Sequence, residues 1–174
     1  MDRHLAVVDR PQSAGGFPLD GGGKVTDRHD VHVHGKTLDT AVHKHPDVLA
    51  DSTLLDRLAR YDALVEVGVG RRPGVAAALA DRGRTVTATD VRGRDVPGGV
   101  RFVRDDVTDP DPSVYRGADA VYARNCPPEL QRPLADAASA ADAACLFTTL
   151  GADPAVVDAT TETLSDRTLH RVHP

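Results

Sequence analysis

Tryptophan is absent from the 174 residues, and only three phenylalanines and three tyrosines are present. Valine, leucine and alanine must therefore build the interior of what is, at this length, one domain with room for a real core. No apolar run approaches the ~20 residues that a membrane span needs. The N-terminus also lacks the basic-then-apolar pattern of a secretory signal, so a soluble, cytoplasmic protein is expected. Cysteine is scarce: Cys126 and Cys145 form no metal or redox spacing and should be reduced thiols. Lysine is confined to Lys24, Lys36 and Lys44; beyond them every basic residue is Arg or His, set against abundant Asp. That balance suggests a halophilic protein whose carboxylates keep its surface hydrated. A net charge of −5 argues against general nucleic-acid affinity but allows local basic patches.

Residues 1–45 lack the apolar periodicity of a folded segment. Gly15, Gly16, Gly21, Gly22 and Gly23, with Pro11 and Pro18, interrupt any pattern, and the composition is that of a flexible extension. Six of the eight histidines lie here, including His32 and His34 in Asp30-Val31-His32-Val33-His34-Gly35. On a strand those two would share a face and could share a metal. The barrels that begin with Asp-x-His-x-His need further ligands on later strands and at least ~200 residues. The rest of the chain follows another pattern, so no function and no metal site are assigned to the extension.

The folded part, expected over 46–174, is organised around Leu64-Val65-Glu66-Val67-Gly68-Val69-Gly70-Arg71-Arg72-Pro73-Gly74. A nearly continuous apolar strand of this kind suits burial on both faces. Gly68 and Gly70 permit a tight turn and close backbone approach to a ligand. The helix predicted at 75–82 then aims its free N–H groups and positive dipole end into the loop. Around this unit the patterns predict a helix over 46–61, strands at 85–89, 100–104, 118–122 and 143–149, a helix at 129–141, and a C-terminal hairpin of 160–164 and 168–172. The result is an α/β fold with a largely parallel, five-stranded sheet and few crossover helices.

In open α/β sheets, ligands bind beyond the carboxyl ends of the strands. The residues expected there are Glu66, Gly68 and Gly70, then Asp90 after the second strand, Asp106 after the third and Asn125 after the fourth. A nicotinamide dinucleotide would need Gly-x-Gly-x-x-Gly, but Pro73 stands where the third glycine belongs, and an acid before the first glycine opposes a pyrophosphate. NAD is thus the less favoured ligand. Glu-x-Gly-x-Gly suits S-adenosylmethionine, which lacks phosphate and carries an ammonium and a sulfonium. Glu66 would hold the methionyl end, Asp90 would accept from the ribose hydroxyls, and Asp106 would accept from the adenine amino group. Arg71 and Arg72 are not needed for the turn. With Arg92, Arg94 and Arg124 they make an edge fit to attract an anionic substrate, such as RNA or a phosphorylated metabolite. Cys126 has no histidine partner by motif and is read as structural.

From about residue 46 onward the chain resembles an uncharacterised archaeal protein family with a small, methyltransferase-like Rossmann core. The stretches that carry the resemblance are Val65 to Pro73, Ala88-Thr89-Asp90-Val91, Phe102 to Val107, Tyr115 to Asp119 and Pro127 to Leu130. The family implies the fold and a site of the S-adenosylmethionine type, and no established reaction. Asn125-Cys126-Pro127-Pro128 is similar to the Asn-Pro-Pro-Tyr loop of amino methyltransferases, but it has an extra cysteine and no aromatic. A rigid turn into the next helix also accounts for its prolines. Two functions remain open: an S-adenosylmethionine-binding protein of the methyltransferase class, or a non-catalytic nucleotide- or partner-binding module.

Overall fold

The computed structural model describes residues 52–151 and 153–173. The extension at 1–45, its histidine motif and the first part of the helix expected over 46–61 lie outside these residues. The chain runs α1 (Ser52–Leu58), β1 (Ala63–Val67), α2 (Gly74–Asp81), β2 (Thr85–Asp90), β3 (Val100–Arg104), α3 (Pro112–Tyr115), β4 (Ala120–Ala123), α4 (Pro128–Ala140), β5 (Ala144–Thr148), β6 (Ala159–Thr163) and β7 (Thr168–Val172).

Among the described residues seven strands form one sheet in the order β3-β2-β1-β4-β5-β7-β6. The first five are mutually parallel, as the patterning predicts. The C-terminal hairpin does more than follow the core: β7 pairs antiparallel with β5, and β6 pairs antiparallel with β7. Two reversals return β6 to the direction of β5, which brings the β6–β7 turn to the carboxyl edge. The order reverses between β1 and β4, the switch point at which α/β sheets open a ligand crevice.

Alternation along the strands divides the interior into two cores. Leu64, Tyr122 and Leu146 pack on α1 and α2 through Leu54, Leu58, Val75 and Leu79. Val65, Val121 and Phe147 pack on α4 through Leu134, Ala137 and Ala138. Aliphatic side chains carry both layers, as a chain so poor in aromatics requires. Among the described residues no helix is long and apolar enough to cross a membrane. The chain leading to β6 is clipped to α4 by Gln131, which is fully buried. Its amide donates to the Pro154 carbonyl and accepts from the Val156 N–H, at 3.1 and 2.7 Å.

His170 on β7 stacks on Phe147, with ring centroids 4.8 Å apart and planes inclined by 18°. Its buried nitrogens have no hydrogen-bond partner among the described residues, and burial lowers its pKa below the usual histidine value. Between the two pKa values the unfolded chain binds the extra proton. His170 therefore withdraws stability as pH falls below about 6.5, and contributes no pH dependence above it. Replacing it by phenylalanine keeps the stack and removes the two unpaired nitrogens. His170→Phe should raise stability by about 1 kcal/mol at neutral pH, with a larger gain in acid. Urea denaturation of both proteins on either side of that pH measures this, and a gain that shrinks on acidification would contradict it.

Candidate ligand site at the carboxyl edge

The turn after β1 is built by glycine. Gly68 and Gly70 have φ of +69° and +62°, the left-handed region where a side chain is strained. The loop is tied to β2: the Val69 N–H donates to the Thr89 carbonyl and the Gly70 N–H to Asp90 Oδ2, each at 3.0 Å.

Asp90 is the organising carboxylate of this side. It is buried at the end of β2. Besides Gly70, it accepts from the Arg92 N–H at 2.9 Å and from Arg94 Nη2 at 3.2 Å, both at Oδ1. Arg94 Nε also lies 3.0 Å from Oδ2, without the alignment of a hydrogen bond. Burial alone would raise this carboxyl. The bonds from Arg94, Arg92 and Gly70 outweigh it and hold Asp90 below the usual carboxylate range.

Glu66 has no exposed surface. Its register neighbour on β4 is Tyr122, whose hydroxyl donates to Glu66 Oε2 at 2.8 Å. Arg124, just past β4, donates from Nε to Oε1 at 2.9 Å and from Nη2 to the Arg72 carbonyl. Arg124 thus joins the buried acid of β1, the end of β4 and the glycine loop. The cation rather than the acid faces outward, since Arg124 lines both cavities of this edge whereas Glu66 lines neither.

The larger cavity, about 980 Å³, lies between the glycine loop, the segment after β5 and the β6–β7 turn. Arg71, Arg72, Arg124, Asn125 and Arg167 are on its walls. The smaller, about 200 Å³, is bounded by Gly68, Val107, Pro127, Leu130 and Asn125. Asn125 has φ of +52°, a conformation that asparagine tolerates better than most residues. Its N–H donates to Thr148 Oγ1 at 3.0 Å, which fixes the β4–α4 loop between the two cavities. Asp106, next to Val107, is exposed. Its Oδ1 accepts from the Thr108 N–H and hydroxyl at 3.0 and 2.8 Å, and these bonds lower its pKa. Asp105 instead faces inward, accepting from the Tyr115 hydroxyl at 2.6 Å.

The family described as "Uncharacterised protein family (UPF0146)" matches residues 51–168, which run from α1 through β6 and end at the start of β7. The chain belongs to this family. A UPF0146 protein of Halobacterium salinarum is 63% identical over 100 residues, covering 58% of this chain and 78% of the relative. One from Archaeoglobus fulgidus is 44% identical over 90 residues, covering 52% and 69%. Among solved structures, magnesium protoporphyrin IX methyltransferase from Synechocystis, with bound SAM, has a TM-score of 0.50 at 13% identity, covering 72% of this chain and 81% of that one. The N-methyltransferase NodS from Bradyrhizobium japonicum also has a TM-score of 0.50 at 13% identity, covering 74% and 96%. At such identities the likeness is one of fold: a Rossmann-like, methyltransferase-like sheet.

The expected site residues of this UPF0146 chain therefore separate into four groups. Gly70 is bonded to Asp90, and Gly68 opens the same loop. Arg71, Arg72 and Asn125 share the large cleft. Asp106 stands apart by the small cavity, with one oxygen turned back on its own loop, and Glu66 lies beneath the site rather than on its wall. The pairing of Glu66 with Tyr122 and Arg124 was not visible in the motifs. Adjacency of β1 and β4, a property of strand order, is what makes those three residues neighbours.

Proposed function

We propose that the domain binds S-adenosylmethionine along this edge and is of the methyltransferase class, with an anionic acceptor. Asp90 carries the reading: a buried, ionised acceptor at the end of β2, fixed against the glycine loop where ribose hydroxyls would arrive. The remaining residues fit the same ligand. The small cavity beside Val107, Pro127 and Leu130 offers apolar walls to an adenine ring, with Asp106 at hand for its amino group. The methionyl end is a zwitterion, and of the Glu66–Arg124 pair the cation is the member on the cavity wall. Arg124 would meet the carboxylate, and the buried Glu66 would set the orientation of Arg124 while favouring the ammonium from below. The ligand would supply a methyl carbon activated by sulfonium; the contribution of the chain is to bind and orient it. Arg71 and Arg72 would hold the acceptor.

One observation favours the second reading, a nucleotide- or partner-binding module without catalysis. The acid expected to meet the methionyl end already accepts bonds from Arg124 and Tyr122. NAD is a weaker third candidate, since Pro73 replaces the third glycine. Calorimetric titration of the full chain, in low and high salt, with S-adenosylmethionine, S-adenosylhomocysteine and NAD tests the cofactor. Micromolar-range binding of both sulfur nucleotides and weaker binding of NAD are expected. Tight NAD binding with no response to the other two would overturn the assignment.

A further inference from the structure

Four guanidiniums reach the large cleft from three separate segments: Arg71 and Arg72 from the glycine loop, Arg124 from the end of β4, and Arg167 from the β6–β7 turn. Among the described residues the only carboxylate on its walls is Asp166, which pairs with Arg167 at 2.6 Å. Glu66 pairs with Arg124 from behind the wall. Among the described residues, the carboxylates paired with these guanidiniums are thus Asp166 and Glu66. Arg71 and Arg72 are exposed and pair with no carboxylate among the described residues. Cations gathered in a concave site repel one another and focus a positive potential, an arrangement that an anion relieves.

We infer that this cleft is a receptor for the phosphomonoester dianion of a small metabolite. A guanidinium fork matches phosphate oxygens two at a time, and several such forks converging on one cleft suit a phosphate better than a singly charged carboxylate. Ser165 and Thr168 lie on the same wall, the Ser165 hydroxyl sharing a hydrogen bond with Thr53 Oγ1 at 3.3 Å. At about 980 Å³ the cleft has the dimensions of a small-molecule site. A nucleic acid needs a basic track that extends past one cavity, whereas the chain as a whole is acidic, with net charge −5. The inference deepens the anionic-acceptor half of the function proposed above and does not need the cofactor half.

The test uses inorganic phosphate titrated into the full-length protein, followed by phosphorus NMR at constant ionic strength with chloride as the balancing anion. Saturable one-to-one binding is expected, weakened about tenfold or more in the Arg71→Ala/Arg72→Ala double variant. Arg57→Ala, an exposed control paired with Glu162 far along the chain, should bind phosphate as the parent does. Both substituted loop arginines are exposed, so thermal melts should confirm an intact fold, and S-adenosylhomocysteine affinity should be unchanged. Phosphate that does not saturate, or that binds the double variant as tightly as the parent, would overturn the inference. So would RNA oligonucleotides whose affinity grows with length while phosphate fails to bind. Phosphate binding without any response to S-adenosylhomocysteine would support this site and sink the cofactor reading alone.

Discussion

Arg124→Met is expected to lower stability by about 3–5 kcal/mol at neutral pH, the range for removing one partner of a buried ion pair. Glu66 has no exposed surface, and in this variant its charge would keep the Tyr122 hydroxyl but lose the Arg124 cation. The Arg72 carbonyl would also lose its bond from Nη2. Methionine preserves most of the aliphatic stem, so lost packing contributes little. The effect should depend on pH with a defined sign. With its cation gone, burial raises the folded-state pKa of Glu66 above the unfolded value of about 4.3. The penalty is then full above the raised pKa and disappears as pH falls below the unfolded value. Urea denaturation over a pH series reads both features. A Glu66→Gln/Arg124→Met double variant should recover most of the loss, because the stranded charge is gone. If the double variant is no more stable than the single, the pair is not the unit described here.

The same pair shows how far the sequence could be read. Strand–glycine loop–helix, the run of strands that follows and the hairpin at the end were legible because each depends on local pattern: apolar runs, glycine at a turn, alternation in a strand. The sequence spacing between the loop and Asp90 was legible too, since one βαβ unit fixes it, and the Gly70 N–H does bond to Asp90. What local pattern cannot supply is lateral neighbours. Glu66 meets Tyr122 and Arg124 only because β4 lies beside β1, and the β6–β7 turn walls the cleft only because β7 inserts between β5 and β6. Local pattern alone therefore points to Glu66 as a ligand contact in its own right. In the folded domain Arg124 is the group on the cavity wall, and Glu66 bonds to it from beneath.

The composition has a consequence for the site as well. Past residue 44 the cations are arginine and histidine only, and arginine stays charged when half-buried where lysine readily shifts its pKa. Arg94 against Asp90 and Arg124 against Glu66 are pairs of this kind, each with a carboxylate at most 7% exposed. Such pairs are screened far less by salt than exposed ones. Raising salt should therefore weaken the surface pairs, such as Arg82 with Asp56, before it disturbs the carboxyl edge.

Asp90→Asn is expected to remove S-adenosylhomocysteine binding and to cost about 1.5–3 kcal/mol of stability, the scale for hydrogen bonds to a charged group. The carboxylate serves donors on both oxygens, the Gly70 N–H at Oδ2 and Arg92 N–H with Arg94 at Oδ1. An asparagine can offer its one oxygen to either set, and its amide then confronts a donor on the other. The Gly70 side is the more consequential, because that bond holds the glycine loop against β2 and so sets the shape of the crevice there. The parent gains stability from the ionised form: with the folded pKa depressed, that contribution is complete above the unfolded value of about 3.9 and is lost as pH falls through the folded one. The stability gap between parent and variant should therefore be constant from neutral pH down to about 4 and close below it. Chemical denaturation over that range, with calorimetry for the ligand, separates the two effects. Unchanged S-adenosylhomocysteine affinity in a folded Asp90→Asn protein would show that the end of β2 does not hold the ribose, and would leave the binding-module reading in its place.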